Sequence, residues 1–309
     1  MFSVNNIDSI VQKTIPKFHI ANPSEVIFGK IHISDTFERI AEQESMAVQK
    51  EMETNPEKAR NAFESAYYAI SSHLGNLTNT ALAKIETYQG ETKKQMVDNL
   101  NKLQGLSEKA MHSLFNLFVQ KSKNPEVLKI EKELAQKFNV KTNFSDNLEI
   151  ANLTKTFVEK AIQKGRKPPT EIAVCNFIPE GGQAVFYEEN GKTIEAIFLS
   201  PNIKPTSGYL STDEAGHVIV HEFGHIEDFR RNGKSKWINQ DAEVDPSSLT
   251  KAEQKLVGQE VGDYAQNIPS GLETFPEIYA GLFYDKKYSP EVMKLYTEKL
   301  NGVTFSAQK

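Results

Sequence analysis

The segment Ser211–Arg231, STDEAGHVIVHEFGHIEDFRR, carries His221 and His225 four residues apart with Glu222 between them. At 3.6 residues per turn, positions i and i+4 leave the same face of a helix, so both imidazoles can grip one ion. Glu222 is then the neighbour that reaches a metal-bound water. The pattern is H-E-x-x-H, in which two histidines hold Zn²⁺ and the glutamate between them acts as general base in hydrolysis. Ser211 and Glu214 are spaced as a capping box, and Asp213 and Glu214 suit the positive start of a helix. Arg230 and Arg231 suit its negative end, and Asn232-Gly233 can adopt the left-handed conformation that stops it. The run Val218, Ile219, Val220 predicts a helix buried on most sides.

Two histidines do not close a zinc site; a third protein ligand is needed, with the fourth position left for water or substrate. The segment Gly271–Tyr284, GLETFPEIYAGLFY, offers Glu273 and Glu277, again four apart. Its apolar residues Leu272, Phe275, Ile278, Tyr279, Leu282 and Phe283 recur at helical spacing. Pro276 belongs in the first turn of such a helix, where a missing N–H costs little, so the helix begins near Gly271 to Glu273. Glu273 is the expected third ligand, and Glu277, one turn on, the carboxylate that orients a ligating histidine through its other ring nitrogen. The reverse assignment, with Glu277 on the metal, stays open at this point. His217 extends the histidine stripe but lies about 6 Å further along the axis from His221, so it reads as a buried or cleft-lining histidine and not as a ligand. Asp228 reads as a local pairing or capping residue.

HEFGHIEDF, followed by VGDYA and ETFPEIYAGLF, resembles the gluzincins, zinc metallopeptidases whose third ligand is a glutamate on a later helix. Within them it is most similar to the branch that contains anthrax lethal factor and the Pro-Pro endopeptidases. The resemblance runs from about Glu126 to the C-terminus and is strong at the two helices. It implies a zincin-like catalytic domain, one Zn²⁺ per chain, and a tyrosine over the site shortly before the ligand glutamate. Tyr264, in VGDYA, is the matching residue, and its interval to Glu273 is slightly longer than the family's. A metzincin pattern is ruled out, because H-x-x-G-x-x-H does not continue after His225.

The remaining sequence sets these helices in a larger frame. A chain of 309 residues suggests two domains of ordinary size. Charged residues make up 25% with a net charge of -5 and no dense basic block, which argues against nucleic-acid binding. The single cysteine, Cys175, allows no internal disulfide, and its apolar surroundings in EIAVCNF mark it as core. No Sec-type signal peptide and no 18-residue apolar span are visible, so the expectation is a soluble protein, cytoplasmic or exported by a non-Sec route.

Residues 1–33, with weak periodicity and Pro16 and Pro23, read as a loosely ordered lead segment. Residues 34–124 read as a helical bundle, broken at Asn55-Pro56 and at Gln89-Gly90. Its third helix carries Met96, Leu100, Leu103, Ala110, Leu114 and Leu117 as a packing seam. The expected boundary lies at Lys121 to Pro125, where charge meets a helix-stopping proline. Residues 125–309 then form the catalytic domain: a short helix through Phe138, an amphipathic helix from about Leu148 to Ile162, and three strands at Glu171–Phe177, Gln183–Glu188 and Thr193–Leu199. Asn190-Gly191 joins the last two as a hairpin turn. Thr193–Leu199 is the expected edge strand, able to align an extended peptide by backbone hydrogen bonds.

The fold class expected is α+β: an N-terminal helical bundle, then a zincin-like domain with a small mostly antiparallel or mixed sheet, the metal helix and a C-terminal helical lobe. The expected function is zinc-dependent endopeptidase, with a peptide or protein as substrate and a protein partner as one role for the bundle. The alternative from a different class is a catalytically idle zinc-binding scaffold whose helical domain does the work. Intact Glu222 argues against it, since a purely structural site needs no base.

Overall fold

A computed structural model describes residues 60, 61, 64, 67, 89–178, 181–204, 209–233, 249–267 and 272–305. The chain divides into two units, Met1–Leu117 and Phe118–Lys309. In the first, α1 spans Gly90–Leu117, starting at a glycine with φ of 61° that follows Gln89 as the sequence break predicts. Of its apolar seam, Ala110 and Leu114 are buried. The lead segment 1–33, the first helix and most of the second lie outside the described residues.

The second unit combines helices with one small mixed sheet. Helix α2 (Pro125–Phe138) opens with Pro125 in its first turn and with the Asn124 side chain accepting the Glu126 N–H, and it ends at Asn139 in the left-handed region. Strand β1 (Lys141–Asn143) follows, then α3 (Leu148–Gln163), capped by Asn147. Strands β2 (Glu171–Val174), β3 (Gly182–Glu189) and β4 (Lys192–Leu199) complete a four-stranded sheet in the order β1-β2-β4-β3. The pairs β1/β2 and β2/β4 are parallel; β3/β4 is antiparallel. The two-residue turn Asn190-Gly191 has φ of 51° and 73°, the left-handed pair that a tight hairpin requires.

This topology corrects one sequence expectation. The edge strands are β1 and β3; β4 lies between β2 and β3. The physical reason is visible in the burial of β4: Glu195, Ala196, Ile197, Phe198 and Leu199 are all buried, as suits a strand covered on both faces. The one charge in that run, Glu195, is paired with Arg230 at 2.7 Å through Nε, and Arg230 also reaches Glu227 at 2.5 Å. Strand β1 had no sequence signal beyond its three polar residues.

The segment around HEFGH forms α4 (His217–Asn232), with every residue from His217 to Phe229 buried. Its N-cap is Gly216, five residues later than the capping box predicts and without a side-chain cap, because Ser211 bonds elsewhere. Helices α5 (Lys251–Glu260), α6 (Asp263–Asn267), α7 (Thr274–Phe283) and α8 (Pro290–Lys294) follow, the last running into a π-helical turn at Leu295–Lys299. Phe223 of α4 packs on Phe157 of α3 at 5.2 Å and on Tyr279 of α7 at 5.9 Å between ring centroids, which joins the three helices in one core. A fully buried phenylalanine such as Phe223 contributes about 2 to 3 kcal/mol. Cys175 is buried in this unit, and burial pushes its thiol up to about 11. Among the described residues no helix is long and apolar enough to cross a membrane.

Candidate metal centre

Three elements deliver the site. Helix α4 presents His221 and His225 from successive turns, their ring centroids 4.9 Å apart and the planes at 81°. Helix α7 begins just after Glu273, which occupies its N-cap position yet makes no side-chain cap bond. The Glu273 carboxylate turns to the histidines instead: Oε2 stands 3.0 Å from His221 Nε2 and 3.4 Å from His225 Nε2. Ligand atoms of His221, His225 and Glu273 all lie within 4.8 Å of one another, so this buried group can hold a metal ion.

The pattern of protons supports that reading. Glu277 Oε1 lies 2.7 Å from His221 Nδ1. An ionised carboxylate only accepts, so Nδ1 is the donor and Nε2 of a neutral ring keeps its lone pair. That lone pair faces Glu273 Oε2, a buried oxygen that receives no well-aligned hydrogen bond. Acceptors converging on one point in a buried site are what a cation satisfies. Burial opposes charge on His221, but Glu273 and Glu277 outweigh it and raise its pKa well above the usual value. A proton and a metal ion compete for that same nitrogen. Glu273 and Glu277 resist their own burial and are held below the ordinary carboxylate range, Glu273 by His225 and His221 and Glu277 by His217 and His221.

Glu222 is buried one residue beyond His221. Burial raises its pKa, offset in part by His221, His225 and a bond from the Ala184 backbone N–H. Strand β3 supplies the space it occupies: a Cβ on Gly182 would stand 2.7 Å from Glu222 Cγ. Residues at period two along β3 share a face, so Gly182, Ala184 and Phe186 run together, and the Phe186 ring lies tilted against that of Phe229, two turns beyond Glu222. Strand β3, one of the two edges, thus lies along α4 and meets it at the Glu222 carboxylate.

Tyr264 comes from the short helix α6. Its ring lies 5.6 Å from that of His221, and the Glu273 carboxylate is the negative charge that acts most strongly on its hydroxyl. Burial first, then the negative charges of Glu273 and Glu222, raises its pKa, which keeps the phenol protonated and a donor near neutral pH. Its backbone is tied to the loop before α4 by Tyr264 N–H to Tyr209 O at 3.0 Å.

All six sequence-derived residues, His221, Glu222, His225, Tyr264, Glu273 and Glu277, therefore gather at one place, with Glu273 on the Nε2 side of His221 and Glu277 on the Nδ1 side. Asp228 is not part of that group and receives a bond from the Asn232 amide. Sequence reasoning missed Ser211, whose N–H donates to Glu277 Oε2 at 2.6 Å and whose hydroxyl donates to Glu277 O at 2.7 Å. It also missed Gly224, where a Cβ would stand 2.6 Å from Pro276 Cα. The glycine inside HEFGH was its available signal, since a glycine within a helix often marks close approach of another backbone. Family models, curated proteins and solved structures all return no match to this chain.

Proposed function

We propose that the protein is a zinc-dependent endopeptidase of the gluzincin class, its second unit a zincin-like catalytic domain. The observation that carries this reading is the convergence of His221 Nε2, His225 Nε2 and Glu273 Oε2 beside a buried carboxylate, Glu222. Two imidazoles and one carboxylate are the donor set of a catalytic zinc centre, and they leave a fourth position for water or substrate. A bound zinc would polarise the scissile carbonyl and lower the pKa of its water toward about 7.

The chain's own groups account for the rest. Glu222 accepts a proton from the attacking water and returns it to the leaving amine, a role that its burial-raised pKa favours. Tyr264 donates its O–H to the oxygen on which negative charge develops. Strand β3, as the antiparallel edge beside Glu222, offers backbone groups to an extended peptide, so recognition depends on the main chain as well as on side chains. The residues equivalent to the lethal factor and Pro-Pro endopeptidase branch are the HEFGH helix, Tyr264 and Glu273; on this reading the N-terminal unit binds a partner or restricts the substrate.

The test is metal analysis of the purified full chain together with cleavage of a peptide library. About one zinc per chain and metal-dependent hydrolysis are expected. Zinc-loaded protein that cleaves no peptide would return the scaffold reading.

A further inference from the structure

We infer that His217 is a positioning residue which, together with Thr212, fixes the Glu277 carboxylate and so sets the proton of His221 on Nδ1. The inference rests on the zinc reading above, and it assigns a task to a histidine outside the ligand set.

Glu277 Oε1 is shared. It lies 2.7 Å from His221 Nδ1 and 3.0 Å from His217 Nε2, while Oε2 takes the Ser211 N–H at 2.6 Å. A carboxylate offers only lone pairs, so both ring nitrogens donate to it. With Nε2 protonated, neutral His217 has an accepting Nδ1, and that atom lies 3.0 Å from Thr212 Oγ1. The Thr212 oxygen already accepts the Glu214 N–H at 3.4 Å, so its own proton is free to point at His217. The donors therefore run in one direction, from Glu214 through Thr212 and His217 to Glu277, with His221 donating to the same oxygen from the other side.

His217 is fully buried, and the group it forms with His221 and Glu277 shares His221 with the group of His221, His225 and Glu273 but meets that ring at Nδ1, while Glu273 meets it at Nε2. It acts through Glu277, not on the metal. Two donors on Oε1 and one on Oε2 leave the carboxylate a single orientation. In that orientation His221 has no alternative but to keep its Nε2 lone pair toward Glu273. Without the His217 donor, one tether is lost, the carboxylate can turn, and the other tautomer of His221 becomes accessible. That tautomer places a proton where the ion must sit.

The test measures zinc affinity by chelator competition on the full chain, the visible spectrum of the Co²⁺-substituted protein, and thermal unfolding. His217→Leu removes both ring nitrogens and should weaken zinc by about 10- to 100-fold, the usual effect of losing a partner behind a ligand. It should also shift the Co²⁺ bands. His217→Gln keeps an N–H that can reach Glu277 and should recover most of the affinity and the wild-type bands. A folded His217→Leu protein with wild-type affinity and bands overturns the inference and leaves the zinc reading intact. A glutamine variant as weak as the leucine variant overturns it too, because packing and not the donor would then be the cause. Wild-type protein that binds no zinc removes both readings together. If the leucine variant does not fold, Thr212→Val, nearly the same shape without the hydroxyl, decides: unchanged zinc affinity and bands in that variant overturn the inference.

Discussion

Gly224 of α4 lies so close to Pro276 of α7 that a Cβ on the glycine would stand 2.6 Å from the proline Cα and 2.8 Å from its Cβ. The glycine is one residue before His225, and the proline is three residues after Glu273. A close approach of the two helices therefore sits beside the His/His/Glu group, and the absence of one side chain lets a carboxylate on one helix come near the histidines on the other. Pro276 suits this crossing because it occupies the first turn of α7, where no intrahelical N–H bond is lost.

Gly224→Ala should consequently separate α4 from α7. The backbone of Pro276 cannot rotate away, so the cost is that of overpacking, about 1 to 3 kcal/mol, with a lowered melting temperature. Zinc affinity should fall alongside stability, since Glu273 moves with α7. Thermal unfolding and chelator competition on one preparation check this; an alanine variant that matches wild type in both would mean that the helices are not locked at this point.

The two glutamates of α7 should differ in what their loss does to the metal. Glu273→Ala removes a ligand, as His221→Ala does, and each should take zinc from about one per chain to near none. Glu277→Ala removes a group behind His221 and should weaken binding by about 10- to 100-fold while leaving stoichiometry intact at saturating zinc. Metal analysis after dialysis at graded zinc concentrations separates the cases. Loss of stoichiometry in Glu277→Ala with retention in Glu273→Ala would reverse the assignment.

The grouping of these side chains was legible in the sequence because it depends on local spacing: i, i+4 pairs at His221/His225 and Glu273/Glu277 survive whatever the tertiary fold does. Elements set by long-range pairing were not. Nothing local to Lys192–Leu199 shows that β2 pairs with it in parallel and makes it a central strand, although the consecutive apolar residues Ala196, Ile197, Phe198 and Leu199 were a hint that both faces are covered. Ser211 looked like a cap because its neighbour three residues on is a glutamate; Glu277, 66 residues away, claims it more strongly with two bonds. The boundary sign at Lys121 to Pro125 likewise reads only local features, whereas Phe118 is buried and packs on Phe177 with ring centroids 4.3 Å apart.

Cys175 should be inert in the folded protein. Burial raises its thiol to about 11, so at pH 8 only about one molecule in a thousand carries the reactive thiolate, and the sulfur is also sterically covered. An aromatic disulfide reagent at pH 8 should label none of it under native conditions and one equivalent after denaturation. Rapid native labelling would place the β2 end of the sheet in exchange with an open state.

The last prediction separates holding a metal from using it. Glu222→Gln keeps the size of the side chain and its place against Gly182, and it keeps an oxygen that can accept the Ala184 N–H, but it removes the base. Zinc content and thermal stability should survive, while peptide hydrolysis falls by about 10² to 10⁴, the usual worth of a positioned general base. Tyr264→Phe removes a donor that is not a metal ligand, so its cost should be smaller, about 10 to 10³, with the Michaelis constant little changed. Both variants leave strand β3 intact and should still bind substrate. The decisive comparison is therefore wild type against Glu222→Gln at equal zinc loading. Equal turnover in the two would show that whatever cleaves the peptide does not use this carboxylate, and the proposed mechanism would be lost even with the metal in place.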